Sequence, residues 1–296
     1  YVYRARLQQV KGNFQAADDD MKRALKVADP KDDAHFQYAQ MIYQKAIYQS
    51  DKTFEPWTLD LALQESQAAY AINPQAIYRQ QQAQILYAQK KYDTAFDVYM
   101  ELTKNDVMKA ESYYAAAQCK TQLGDQLAAL ALLDSAVNTF SKPYIKTAAP
   151  YLMARAQALH EAKKYRAAVN DYNDYATLMA AQLGANFYFL REQAEFAGHL
   201  YQQALDDINR AVEMAPSETV YRAEKANVEL RVGMTDQAIE TAKSLINLAP
   251  QESDGYLFLG LAQCVKGQKA EGVQNLNKAK ELGNSQAQSL IDKYSK

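Results

Sequence analysis

Glycine and proline are scarce in this chain of 296 residues, with 10 of one and 7 of the other. That is about half their usual combined share of roughly 12%. So few turn-formers exclude a multi-stranded sandwich or barrel, which needs a tight turn every few residues. The same shortage excludes collagen and flexible low-complexity chains. Cysteine is nearly absent: Cys119 and Cys264 form no motif and leave the redox compartment open. Charge of one sign is missing as well, with 33 basic against 35 acidic residues. No overall field is left to attract nucleic acid or an anionic membrane. Long apolar runs are also lacking. The longest, Leu127 to Leu133, stops at Asp134 and cannot span a bilayer, so no transmembrane segment is expected. Yet 48% of residues are apolar and the net charge is −2, enough to bury a core and exclude disorder. What remains is a chain of long helices. It shows no signal peptide and opens at Tyr1 without Met. An upstream segment is therefore expected to be missing, and the compartment, cytoplasm or cell envelope, stays open.

What is present is a repeat. Gly-Asn-Phe-Gln-Ala-Ala at 12–17, Lys-Lys-Tyr-Asp-Thr-Ala at 90–95 and Lys-Lys-Tyr-Arg-Ala-Ala at 163–168 resemble one another. His-Leu-Tyr-Gln-Gln-Ala at 199–204 and Gly-Met-Thr-Asp-Gln-Ala at 233–238 continue the series. The closing small residue marks each unit: Ala17, Ala62, Ala95, Ala129, Ala168, Ala204, Ala238 and Gly272, with a base interval of 34 and three insertions. Seven residues after the marker stands a second small or aliphatic column, from Ala24 to Ala279, with Tyr175 as the bulky exception. Twelve residues before it lie Ala5, Ala83, Ala117, Ala156, Ala226 and Gly260, and Glu192 breaks that column. Small residues at fixed places mark close approaches of neighbouring helices. Larger ones such as Tyr92, Tyr99, Tyr165, Tyr172 and Tyr201 fill the space beside them. Gly12, Gly124, Gly233 and Gly267 turn the chain inside a unit, and Pro30, Pro74, Pro216 and Pro250 close one. Each unit is thus an antiparallel helix pair that cannot bury its apolar face alone.

In this register the chain resembles the tetratricopeptide-repeat (TPR) family. The best-matching stretches are Tyr3–Ala5 leading to Gly12 and Ala17, Tyr188 through Pro216, and Gly255–Gly260 leading to Gly267. The resemblance implies an all-α, right-handed superhelical solenoid of about eight helix-turn-helix units plus a C-terminal capping helix. The units run over about 1–30, 31–74, 75–106, 107–143, 144–184, 185–216, 217–250 and 251–284. Residues 285–296 form the cap, with Ala287, Leu290 and Ile291 on one face and Asp292, Lys293 and Lys296 facing water. The first helices of such a family line a concave groove that binds peptides or proteins.

Chemistry is mostly missing. His35, His160 and His199 lie far apart, without a second histidine or carboxylate at metal-binding spacing, so no metal is expected. There is no phosphate loop and no Gly-x-Ser-x-Gly, so neither cofactor nor catalytic activity is expected. Asp18-Asp19-Asp20 lacks the glycine and alternation of a calcium loop and reads as a charged helix face. Asp171 and Asp174 read as solvated acids on a helix. The largest insertion, Ser50–Trp57, carries the single Trp. It has two readings, an aromatic lip at the groove edge or a longer helix and loop pinned down by Trp57. The insertions at Ser141–Pro150 and before Gly184 adjust curvature.

The groove supplies the candidate site. Eleven residues before the marker stand Gln84, Gln118, Gln157, Gln193 and Asn227, five amides in successive units. In the TPR family this column faces the concave surface, where amides can donate to and accept from an extended peptide backbone whatever its sequence. Glutamine is also abundant here and suits exposed helix faces, which is the alternative reading. One turn away lie Tyr87, Tyr114, Met153, His160, Phe189 and Phe196, candidate anchors for partner side chains or packing residues between adjacent helices. The family's acidic-tail clamp needs Lys one turn before the amides, but those positions hold Gln80, Tyr114, Met153, Phe189 and Ala223. The expected partner is therefore a protein or peptide segment with apolar anchors. The alternative is an architectural module that self-associates or assembles a larger complex through its convex face or N-terminal end.

Overall fold

The computed structural model describes residues 1–48 and 56–295. The chain falls into two compact bodies, residues 1–144 and 145–296. The first holds α1 (Val2–Val10), α2 (Phe14–Val27), α3 (Asp32–Tyr48), α4 (Leu59–Ile72), α5 (Ala76–Ala88), α6 (Tyr92–Leu102), α7 (Lys109–Gln122) and α8 (Gln126–Val137). The second holds α9 (Ala149–Glu161), α10 (Tyr165–Met179), α11 (Ala185–Ala197), α12 (Tyr201–Met214), α13 (Thr219–Arg231), α14 (Thr235–Leu248), α15 (Ser253–Val265), α16 (Lys269–Glu281) and α17 (Ala287–Tyr294). Within each body consecutive helices pack on one another, the pattern of an all-α helix-pair repeat. There is no strand among the described residues.

The packing follows the small columns. Ala17, Ala62, Ala95, Ala168, Ala204 and Ala238 are wholly buried, as are Ala5, Ala83, Ala156 and Ala226. At Gly272 a Cβ would lie 2.4 Å from Cys264 Sγ and 2.7 Å from the Gly260 carbonyl oxygen, so α15 and α16 touch through backbone. Seven of the eight pairs turn through a left-handed residue five positions before the marker. Glycine fills it at 12, 124, 233 and 267, whereas Lys90, Lys163 and His199 hold it with φ near 60°. In those three pairs a ring from the first helix meets a tyrosine that opens the second. Tyr87–Tyr92, His160–Tyr165 and Phe196–Tyr201 have centroids 5.2, 5.5 and 5.4 Å apart. The ring pair braces a turn that an L side chain adopts only at a cost. At the C-terminal end Ala287, Leu290, Ile291 and Tyr294 of α17 cover the core of the last pair.

Three acids depart from the sequence expectation. Asp18 and Asp20 are buried instead of forming a solvated face. Asp18 accepts from the Tyr38 hydroxyl and from Trp57 Nε1 at 2.8 Å, and Asp20 accepts Arg4 Nε at 2.6 Å. Asp171 is likewise buried and takes a bidentate pair from Arg155 at 2.6 and 2.7 Å. Arg191 binds Asp207 the same way, at 2.6 and 2.8 Å. All three Arg–Asp pairs span 16 residues and join the first helix of a pair to its second. The burial is tolerable because the planar guanidinium satisfies both carboxylate oxygens.

Trp57 is 4% exposed and lies edge-on to Phe14 and Tyr38, so it pins the chain to the core of the first two pairs. That placement favours the pinned-loop reading over an aromatic lip. The remainder of the insertion, Ser50–Glu55, lies outside the described residues.

Candidate functional site

In the first body a cavity of about 420 Å³ opens between α3, α5 and α7, the first helices of three successive pairs. Each helix contributes one face, at i, i+3 or i+4, and i+7 or i+8 spacing, because those positions stack on a helix surface. From α3 come Gln40, Tyr43, Gln44 and Tyr48, and from α5 Gln80, Gln84 and Tyr87. From α7 come Glu111, Tyr114, Ala115 and Gln118, while buried Tyr99 of α6 closes the floor.

The three consecutive glutamines of α5 divide their labour. Gln80 faces the cavity. Gln81 Nε2 donates to the Phe36 carbonyl of α3 at 3.1 Å, and Gln82 Nε2 to the Ser66 carbonyl of α4 at 3.1 Å. Two amides thus fix the wall so that the next turn presents Gln84 to solvent-accessible space. Among the described residues the lining contains no Lys or Arg, and Glu111 is its single charged group. Burial raises the Tyr43, Tyr87 and Tyr99 hydroxyls above their ordinary range, with Glu111 adding to the rise at Tyr99. These phenols therefore stay protonated hydrogen-bond donors.

The cavity brings together four of the eleven sequence candidates: Gln84, Tyr87, Tyr114 and Gln118. The other seven lie on α9, α11 and α13 of the second body. Gln157 is exposed, Gln193 half-buried, and Asn227 donates to Glu224 Oε2 of its own helix at 3.1 Å. Met153 is half-buried on α9. His160 and Phe196 pack on Tyr165 and Tyr201 as described, and Phe189 packs on Tyr221 with centroids 4.8 Å apart. These rings, like Tyr87, serve the packing between helices with one side still accessible.

Helix α11 also carries a group that the column pattern signalled without explaining. Glu192 is 1% exposed, and neither carboxylate oxygen has a hydrogen-bond partner. Burial first, then Glu224, Glu195 and Asp207, push its carboxyl up to about 8. Glu195, one turn on, is raised to about 8 by burial and by Asp207. Among the described residues no group of three or more His, Cys, Asp or Glu is placed to hold a metal ion. No described helix is long and apolar enough to cross a membrane.

No family model matches the chain. A Saccharomyces cerevisiae protein, small glutamine-rich tetratricopeptide repeat-containing protein 2, is 27% identical over 82 residues. That match spans 28% of this chain and about a quarter of the relative's length. Solved structures align over far more. YrrB, described as a TPR protein with an unusual peptide-binding site, superposes with a TM-score of 0.54 at 17% identity, over 66% of this chain and 97% of its own. PilF of Pseudomonas aeruginosa gives 0.54 at 17% identity, over 77% of this chain and 96% of its own. A tetratricopeptide repeat protein of Parabacteroides merdae gives 0.51 at 14% identity, over 88% and 99%. At these identities the likeness establishes the fold.

Proposed function

From the tetratricopeptide-repeat fold of this chain, we propose that it is a non-catalytic interaction scaffold that holds an extended protein segment along its first helices. The observation that carries this reading is the cavity between α3, α5 and α7, where Gln84 and Gln118 stand one helix apart over a tyrosine floor. An extended backbone leaves N–H and C=O groups free, and a side-chain amide answers both. Tyrosine supplies contact area at low entropic cost, as in adaptable binding surfaces generally. The half-exposed rings of Phe189 and Phe196 and the thioether of Met153 offer apolar anchoring on the second body. The peptide-binding site named for YrrB lends the same fold-level support.

The test is binding of peptides selected against the whole chain. Gln84→Ala with Gln118→Ala is expected to weaken them about ten-fold or more, since each lost amide leaves backbone groups unpaired. Unchanged affinity in that double variant removes the site.

A second reading, assembly through the N-terminal end, has one observation in its favour. Tyr3, Leu7 and Val10 share one face of α1 and are 86, 54 and 84% exposed. A second copy of the chain seated there would bury them. Sedimentation velocity over a hundred-fold concentration range distinguishes the two, because Leu7→Glu with Val10→Glu abolishes such a dimer and leaves peptide binding intact.

A further inference from the structure

We infer that the cavity between α3, α5 and α7 receives a basic side chain, an arginine in preference to a lysine, from the segment that the scaffold binds. This inference rests on the groove reading above and adds the chemistry of the residue that fills it.

Four observations converge on a cation. Among the described residues the single charged group of the lining is the Glu111 carboxylate, and it has no ion-pair partner among them. An acidic ligand side chain would meet that carboxylate with no Lys or Arg to offset it, and like charges at close range repel. Among the described residues the rings of Tyr43, Tyr87 and Tyr99 carry no cation, although ring–cation contacts recur elsewhere in the chain. Arg79 sits 5.6 Å from the Tyr70 centroid and Arg210 5.4 Å from that of Tyr188. The accessible ring surface in the cavity, that of half-buried Tyr43 and Tyr87, is thus left for a guest. Finally, the glutamines offer carbonyl oxygens as acceptors, and about 420 Å³ accommodates a long side chain with part of its backbone.

Arginine suits these features better than lysine. Its planar guanidinium stacks on a tyrosine face while five N–H donors reach amide oxygens and the carboxylate together. An ammonium group is more strongly hydrated and offers no plane to stack. Phenols are neutral at neutral pH, so among the described lining residues Glu111 alone sets the sign of the site.

Fluorescein-labelled octapeptide pools provide the test, random except for a central Arg, Lys, norleucine or Glu. Anisotropy is read with the full chain and with Glu111→Gln. The Arg pool is expected to bind about ten-fold tighter than norleucine, with Lys between and Glu weakest. In Glu111→Gln the Arg pool should fall to within about two-fold of the norleucine pool measured on the same variant. Norleucine or Glu pools that match Arg, or an Arg preference that survives Glu111→Gln, overturn the inference while leaving the groove reading in place. Absence of binding by every pool, with both proteins folded by circular dichroism, overturns the groove reading itself.

Discussion

Glu192→Gln isolates what a buried carboxyl does to this repeat. In six other pairs the equivalent position is alanine or glycine, packed against the second helix. Glu192 brings a carboxyl into that contact with both oxygens unpartnered and with Glu195, Glu224 and Asp207 around it; Arg191, the adjacent cation, is committed to Asp207. Its folded value of about 8 stands above the ordinary 4.5, so folding favours the protonated form. Stability from this group is then fully present below pH 4.5 and is lost as the pH rises through 8. At about 1.4 kcal/mol per pH unit, the interval from 4.5 to 7 amounts to roughly 3 kcal/mol. Glutamine keeps the shape and cannot ionise, so its unpartnered amide costs the same at every pH. Urea unfolding at pH 5, 6, 7 and 8 reads the difference. The wild-type midpoint should fall steadily across that range, and Glu192→Gln should flatten the fall, with Glu195 supplying what slope remains. Equal slopes in the two proteins would refute the account of Glu192 as a neutral buried acid.

Three further outcomes follow from the packing. Lys163→Gly should raise stability by about 0.5–1 kcal/mol, because relief of the left-handed side chain outweighs the added freedom of glycine when unfolded; urea midpoints check it. Arg155→Ala leaves buried Asp171 without its bidentate partner and should cost about 3 kcal/mol, whereas Arg79→Ala at the more exposed Glu101 pair should cost under about 1 kcal/mol. Gly272→Ala forces a methyl against Cys264 Sγ and the Gly260 carbonyl, and should cost about 1–3 kcal/mol, seen as faster limited proteolysis of α15 and α16.

The helix-pair architecture was legible because its determinants are locked to the period: one small residue per contact, one turn residue per pair, a proline past the end. Two departures from the columns were also informative. Glu192 stood out in sequence as an exception and is a buried, unpartnered acid in the fold. Trp57 fell outside the register and pins an insertion to the core. The buried acids were not legible, because Asp18, Asp20 and Asp171 sit among charged neighbours and look solvated. Their signal was a partner 16 residues earlier or an aromatic donor on another helix, and that spacing crosses a turn. Nor could Gln80, Gln81 and Gln82 be told apart in sequence, since adjacent residues on a helix face different neighbours. The amide column includes Gln84 and Gln118, and both line the cavity. The cavity they share needs Gln40 and Tyr43 from α3 and Tyr99 from α6, which no fixed spacing connects to them.

An extended segment lying across α3, α5 and α7 would contact Gln84 and Gln118 together. Side-chain amide resonances of Gln84 and Gln118, followed by NMR while a phage-selected peptide is titrated into the whole chain, test it most directly. Both resonances should shift together along a single binding curve and be lost as reporters in the corresponding alanine variants. A selected peptide that binds with neither resonance moving, its perturbations confined to other helices, would contradict that placement.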